Sequence, residues 1–207
     1  MRTTPCSEPL LLVIEGMPGA GKTTLTQTLA AHGVPTLGEY VTSTGATLPW
    51  RDHPDVHDDD AHQRNWTDKH AYAHAAGHRL ACDRAWLSAL SYAASANDPA
   101  LFARRADWAL TALELGRLCV PHHYLVLHLD PVASLARRAD RLTTGHPWSS
   151  RSGLELLAAF YRDPPTALRT INSPLAERLD RATWTHLSAP PRPLALRTAR
   201  QLWQVPA

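Results

Sequence analysis

Lysine is nearly absent from this chain: Lys22 and Lys69 are the only two among 21 basic side chains, and arginine carries the rest of the positive charge. An arginine-rich segment is therefore weak evidence of a special role. No basic stripe interleaved with aromatic residues is present and the formal net charge is only +2, which argues against a nucleic-acid partner. Cysteine is scarce and scattered. Cys6, Cys82 and Cys119 form no C-x-x-C pair, so a disulfide frame and a zinc site are both disfavoured, and reduced thiols in a cytoplasmic setting are expected. Nothing approaches the ~20 consecutive apolar residues that cross a bilayer. The apolar stretch from Leu10 to Ile14 is broken by Glu15 and lacks a small-residue cleavage signature. It reads as a core strand, not as a signal peptide, and no membrane partner is expected.

With 207 residues, 44% hydrophobic and 19% charged, the chain is long enough for one substantial core and too short for two comfortable domains, so 1–207 is read as a single domain. Strand-like runs alternate with helix-length segments, the rhythm of an α/β protein whose parallel sheet is covered on both faces. Strands are expected near 10–15, 34–39, 79–82, 124–129 and 183–187, and helices over 22–32, 61–76, 85–96, 99–118, 131–143, 153–162 and 192–203. Asp130-Pro131 reads as a helix entry, with the carboxylate as N-cap and proline at the first helical position. Segments 42–60 and 141–152 hold Gly, Pro, Ser, Thr and charge at loop density and are the expected moving parts.

The most informative stretch is LLLVIEGMPGAGKTT, Leu10 to Thr24, where a short apolar strand runs into Gly16-x-x-x-x-Gly21-Lys22-Thr23 and then into a helix. That context is what a phosphate-binding loop requires. Across Gly16, Pro18, Gly19, Ala20 and Gly21 the backbone curls so that N–H groups point at phosphate oxygens, and the helix carrying Thr24 starts with its positive dipole end facing them. Lys22 would reach the β- and γ-phosphates of ATP, and the Thr23 hydroxyl would hold Mg²⁺.

A second constellation is GHRLACDRAWLSALSYA, Gly77 to Ala93, in which a short strand ends in Asp83-Arg84. Residues at the carboxyl end of a parallel strand sit over the ligand crevice. An aspartate there can hold water on Mg²⁺, and an arginine there can grip a moving phosphoryl group. The plainer alternative is a surface ion pair at a helix start.

With these motifs in place, the chain resembles the thymidylate kinase family and its deoxynucleoside kinase relatives. The resemblance rests on the Gly16 to Thr24 loop, on Asp83-Arg84-x-x-x-Ser88-x-x-x-Tyr92, and on Leu129-Asp130-Pro131 followed by Leu135-Ala136-Arg137-Arg138-x-x-Arg141. It implies a three-layer P-loop kinase fold with a five-stranded parallel sheet flanked by helices, MgATP as donor, and a mobile arginine-bearing lid at about 137–152. By the same resemblance Arg84 would contact the transferring phosphate and Asp83 the Mg²⁺ environment, and Arg137, Arg138 or Arg141 would serve the lid, with Arg151 a further candidate. A homodimer is compatible with it.

The chain departs from thymidylate kinases after the second strand, where an Arg-Glu-Pro-Gly-Gly type stretch is replaced by Leu37-Gly38-Glu39-Tyr40-Val41-Thr42. Glu39 remains, and in deoxynucleoside kinases a glutamate at this strand end takes the proton from the acceptor hydroxyl. An alcohol must lose its proton as it attacks, whereas a monophosphate is already mostly dianionic at neutral pH and needs an additional cation instead. Arg51 or Arg64 could supply that cation, so the acceptor stays open. The expected activity is transfer of the γ-phosphoryl group of ATP to a small molecule, a nucleoside or nucleotide being favoured. A hydroxyl on another metabolite or an antibiotic is the alternative acceptor. A nucleotide-hydrolysing switch is disfavoured, because neither Asn-Lys-x-Asp nor Asp-x-x-Gly occurs.

His53, His57 and His62 flank Asp58-Asp59-Asp60, but their spacing fits no zinc pattern, and a solvated helix entry is the better reading. His70, His74 and His78 recur every four residues and are expected on one helical face. Trp50, Trp66, Tyr72, Trp86 and Tyr92 are pocket candidates, since flat rings stack on bases and sugars.

Overall fold

The computed structural model describes residues 11–55, 57–77 and 79–204, so Cys6, Leu10 and His78 lie outside it. Five strands, β1 (Leu11–Gly16), β2 (Thr36–Leu37), β3 (Leu80–Asp83), β4 (His123–His128) and β5 (Thr183–Ser188), form one sheet. Its order is β2-β3-β1-β4-β5, and every pairing is parallel. Crossover helices are the necessary companions of such pairings. They are α1 (Lys22–Ala31), α2 (Asp59–Ala76), α3 (Leu87–Ser95), α4 (Pro99–Glu114), α5 (Pro131–Ala136), α6 (Arg151–Arg162), α7 (Pro164–Arg169) and α8 (Ser173–Leu179), and α9 (Arg192–Gln204) follows the last strand.

Side chains alternate across β1 because successive Cβ atoms point to opposite faces. Leu12 and Ile14 join a smaller core with Leu25 and Leu29 of α1 and Ala195 and Ala199 of α9. Val13 enters the larger core with Trp66, Leu90, Tyr124 and Tyr161 on the opposite face, and Glu15 follows Val13 to that side. Helices thus cover both faces, which is the three-layer α/β architecture expected from the alternation of elements.

The boundaries differ from the sequence expectation in ways that have local causes. The second strand pairs only over Thr36–Leu37, not over 34–39, because the carbonyls of Gly38 and Glu39 turn to the Lys69 ammonium instead. The expected helix 131–143 stops at Ala136 and resumes as a 3₁₀ turn over Ala139–Arg141, although Asp130 caps it as anticipated, accepting from Val132 and Ala133. The fourth helix ends at Glu114 instead of 118, with Gly116 left-handed just beyond it. Helices α7 and α8 were not anticipated. Each is six or seven residues long, too short to show helical periodicity, and each is announced only by its N-cap, Asp163 or Asn172. No helix among the described residues is long and apolar enough to cross a membrane. Cys82 and Cys119 are both buried.

Gly16 closes β1 with a φ of +119°, and a Cβ at this position would run into the backbone of Leu127 on β4. Gly16→Ala combines left-handed strain with an overlap that rigid backbone cannot relieve, so a loss of about 3 kcal/mol or more is expected. Urea unfolding of the variant measures it; a midpoint equal to that of the unsubstituted protein would contradict this packing.

Candidate active site

The loop after β1 is built by backbone conformation. Gly16, Gly19 and Gly21 all have positive φ, and Gly21 stands at the N-cap of α1 without a side-chain cap, so the first-turn N–H groups stay directed at the cleft. Lys22 is buried and folded over this loop, its Nζ donating to the carbonyls of Gly16 at 3.0 Å and Met17 at 2.8 Å. Burial, reinforced by the nearby Arg84 guanidinium, pulls its pKa down to about 7.

Thr23 and Asp83 meet as expected from the two motifs, with Thr23 Oγ1 donating to Asp83 Oδ2 at 2.6 Å. The other carboxylate oxygen, Asp83 Oδ1, is buried and without a hydrogen-bond partner among the described residues. Burial first, and Glu39 second, push the Asp83 pKa up. A hydroxyl oxygen beside an incompletely paired carboxylate suits a hard divalent cation, which takes oxygen ligands and would relieve that cost.

Arg84 leaves β3 with a φ of +60°, a left-handed backbone unusual for a side chain of this size. Its guanidinium is 5% exposed, lies 3.0 Å from Glu39 Oε1 and 3.7 Å from Glu15 Oε2, donates to Ser88 Oγ at 3.2 Å, and covers the Trp148 ring. Burial alone would weaken its charge, but Glu39, Tyr161, Glu15 and Asp83 outweigh burial and raise its pKa. The surface ion pair considered as the plain alternative for Asp83-Arg84 is therefore excluded: both side chains are buried.

Sequence reasoning missed two residues of this corner. Glu15, read only as the residue that interrupts an apolar run, is fully buried and accepts from the Ala85 amide at 3.0 Å, Ser88 Oγ at 2.8 Å and Tyr161 Oη at 2.8 Å. Burial raises its pKa, and Arg84 opposes that rise. The available signal was a carboxylate inside a core strand, a placement that is rare unless the group is paired. Lys69, the second lysine, is buried on α2 and donates into the carbonyls at the ends of β2 and β3.

The four arginines expected in a lid divide. Arg137 Nη1 donates to Gly19 O at 3.2 Å, Arg138 Nη2 to Trp148 O at 2.6 Å, and Arg141 lines the same cleft beside Asp140. Arg151 is exposed on α6, pairs with Glu155 at 2.8 Å, and is not among the cleft-lining residues. The cleft continues past Glu39 and Arg84 to a second half walled by rings. Here Tyr40 Oη lies 2.7 Å from His62 Nδ1, and the Arg105 guanidinium is ion-paired with Asp59 and placed over Tyr92. Arg105 also escaped the sequence reading. Trp50, Trp66 and Tyr92 line this half, whereas Tyr72 lies outside it, where a Cβ added to Gly45 would meet its ring, and Trp86 is in the core, donating to Cys119 O. Asp58 caps α2 by accepting from Ala61, and no group of three or more metal-binding side chains occurs among the described residues. His70 and His74 do share a helical face.

This fold and this loop define a P-loop domain. Residues 11–178 match the AAA domain family AAA_28, and the chain belongs to it. Two solved structures of deoxyadenosine kinase from M. mycoides share the fold. The one with bound dATP aligns at a TM-score of 0.60 and 12% identity, covering 93% of this chain and 98% of that one. The one with the products dCMP and a flexible dCDP aligns at 0.60 and 11%, covering 93% and 97%. No curated protein matches the sequence.

The Lys22 environment predicts proton-linked nucleotide binding. At about pH 8.5 the free protein holds Lys22 mostly neutral, and phosphates placed against it restore its charge, so binding should take up close to one proton. Calorimetry of ADP binding in buffers of different ionisation enthalpy measures this. Uptake should vanish in Lys22→Met; equal uptake by both proteins would contradict the placement.

Proposed function

We propose that this protein is a phosphotransferase that moves the γ-phosphoryl group of MgATP to a hydroxyl of a small, nucleoside-like acceptor. The observation that carries the reading is the position of Glu39. Its carboxylate stands 3.0 Å from the Arg84 guanidinium, between the phosphate loop and the ring-walled half of the cleft.

In this reading the backbone N–H groups of 18–23 and Lys22 hold the donor phosphates, and Thr23 with Asp83 holds Mg²⁺, which neutralises phosphate charge when bound. The acceptor oxygen gives its proton to Glu39 as it bonds to the γ-phosphorus, and the bond from that phosphorus to the β-bridging oxygen breaks, releasing ADP. Arg84 faces the charge that spreads over the moving group, so its place is electrostatic. Arg137, Arg138 and Arg141 are proposed to close over the phosphates.

A hydroxyl is favoured over a monophosphate because a carboxylate, Glu39, stands at the junction and the buried arginine on the acceptor side, Arg105, is already ion-paired with Asp59. Arg51 lines the cleft but is exposed beside Asp52, and Arg64 is exposed and does not line the cleft. The nucleoside-like class is supported by the rings of Tyr40, Trp66 and Tyr92, and by the likeness to a fold that holds dATP in deoxyadenosine kinase.

Two substitutions test the reading by coupled ADP release with nucleosides as acceptors. Glu39→Gln keeps size and removes the proton sink, so kcat should fall by about a hundredfold or more. Lys22→Ala should cost about a thousandfold. Full activity in Glu39→Gln, with loss of acceptor binding in Arg51→Ala or Arg64→Ala, would overturn the hydroxyl assignment in favour of a monophosphate.

A further inference from the structure

The ladder between β2 and β3 ends at Leu37 and Cys82, yet the functional side chains begin one or two residues later, at Glu39, Asp83 and Arg84. No strand hydrogen bonds hold these two chain ends to each other. Lys69 stands there instead. Its Nζ donates to Gly38 O at 2.7 Å, Arg84 O at 2.8 Å and Asp83 O at 2.9 Å, with Glu39 O at 3.3 Å sharing a proton. The three ammonium protons are thus spent on four carbonyls, two from each chain end, and the charge rests over the Trp66 ring. All of these partners are backbone oxygens, and none is a carboxylate. An ammonium that only balanced charge would seek Asp83 or Glu39 directly; one that takes their carbonyls sets where their side chains emerge.

We infer that Lys69 is a positioning residue: it fastens the end of β2 to the end of β3 and so fixes Glu39 against Asp83 and Arg84. The kinetic part of its test rests on the proposed phosphotransfer, while the structural part does not. Lys69→Met keeps the stem and removes the donors. Three amides report the corner: Val41, which donates to Asn65 Oδ1, Arg84, which donates to Ile14 O, and Ala85, which donates to Glu15 Oε1. In Lys69→Met their hydrogen exchange should accelerate by about tenfold or more, with the central amides of β1 and β4 unchanged.

With a working acceptor, kcat should fall by about a hundredfold, the cost of displacing a reacting group by ~1 Å, while affinity for metal-free ADP stays within about twofold. Lys69→Arg should recover much of both, since it keeps charge and donors and a small cavity beside Lys69, lined by Trp66, His70 and Trp86, can take the added bulk. If Lys69→Met does not fold, the unsubstituted protein still decides. With only two lysines, the Lys69 ammonium should give its own slowly exchanging ¹⁵N–¹H correlation, with couplings to the carbonyls of 38, 83 and 84. Absence of that signal, unchanged exchange at the three amides in a folded Lys69→Met, or unchanged kcat would each overturn the inference. Failure to find any acceptor would count against the proposed function alone, since the exchange and ammonium readouts need no turnover.

Discussion

Arg84 brings a permanent charge into a place where water is nearly excluded, and the elements around the site are arranged to make that tolerable. Burial of an ion costs several kcal/mol, and removal of one partner of a buried pair typically costs ~3 to 5 kcal/mol. Here the charge is met from two sides, by Glu15 rising from β1 and by Glu39 beyond β2, with Ser88 and the Trp148 face completing the shell. Glu15 is itself tolerated only because the Ala85 amide just after β3, Ser88 of α3 and Tyr161 of α6 all donate to it. One guanidinium therefore couples the central strand β1, the end of β2 and α3 directly, and α6 through Glu15. The left-handed backbone at Arg84, worth ~1 to 3 kcal/mol of strain, persists because all of these contacts over-determine it.

In the proposed reading the two halves of the cleft use different chemistry. The donor half is mostly backbone, which needs glycine and tolerates little change: Gly16 touches β4, and Lys22 bends back onto its own loop. The acceptor half would be read by side chains on segment 40–66 and on α3 and α4, among them Tyr40, Trp66 and Tyr92. Such a division lets a scaffold keep its donor and change its acceptor. Lys22, Arg137, Arg138 and Arg141 all line the loop side of the cleft, while Arg105 on the other side is held by Asp59.

Legibility in the sequence followed the range of the interaction. The glycine-rich turn after β1, the strand that runs into Asp83-Arg84 and the cap at Asp130 are encoded by neighbours in sequence, and the structure joins Thr23 to Asp83 and caps α5 with Asp130 as those local patterns imply. The parallel five-stranded sheet followed from the alternation of apolar runs with helix-length segments. What escaped was long-range. Glu15 and Tyr161 are separated by 146 positions, Arg105 and Asp59 by 46, and Lys69 and Gly38 by 31, and no local pattern announces such pairs. The short second strand was overextended for the same reason, since its carbonyls are claimed by a side chain from α2. Arg151 is a lid candidate by its place at the far end of segment 141–152, and here it is exposed and paired with Glu155.

The central claim is that Glu39 and Arg84 serve a hydroxyl nucleophile, and the product bond tests it most directly. The protein is incubated with MgATP and parallel panels of nucleosides and nucleoside monophosphates, and the products are read by ³¹P NMR. The account predicts a new phosphomonoester resonance with a nucleoside, appearing together with ADP. Formation of a phosphoanhydride from monophosphates, with no monoester from any nucleoside, would contradict it.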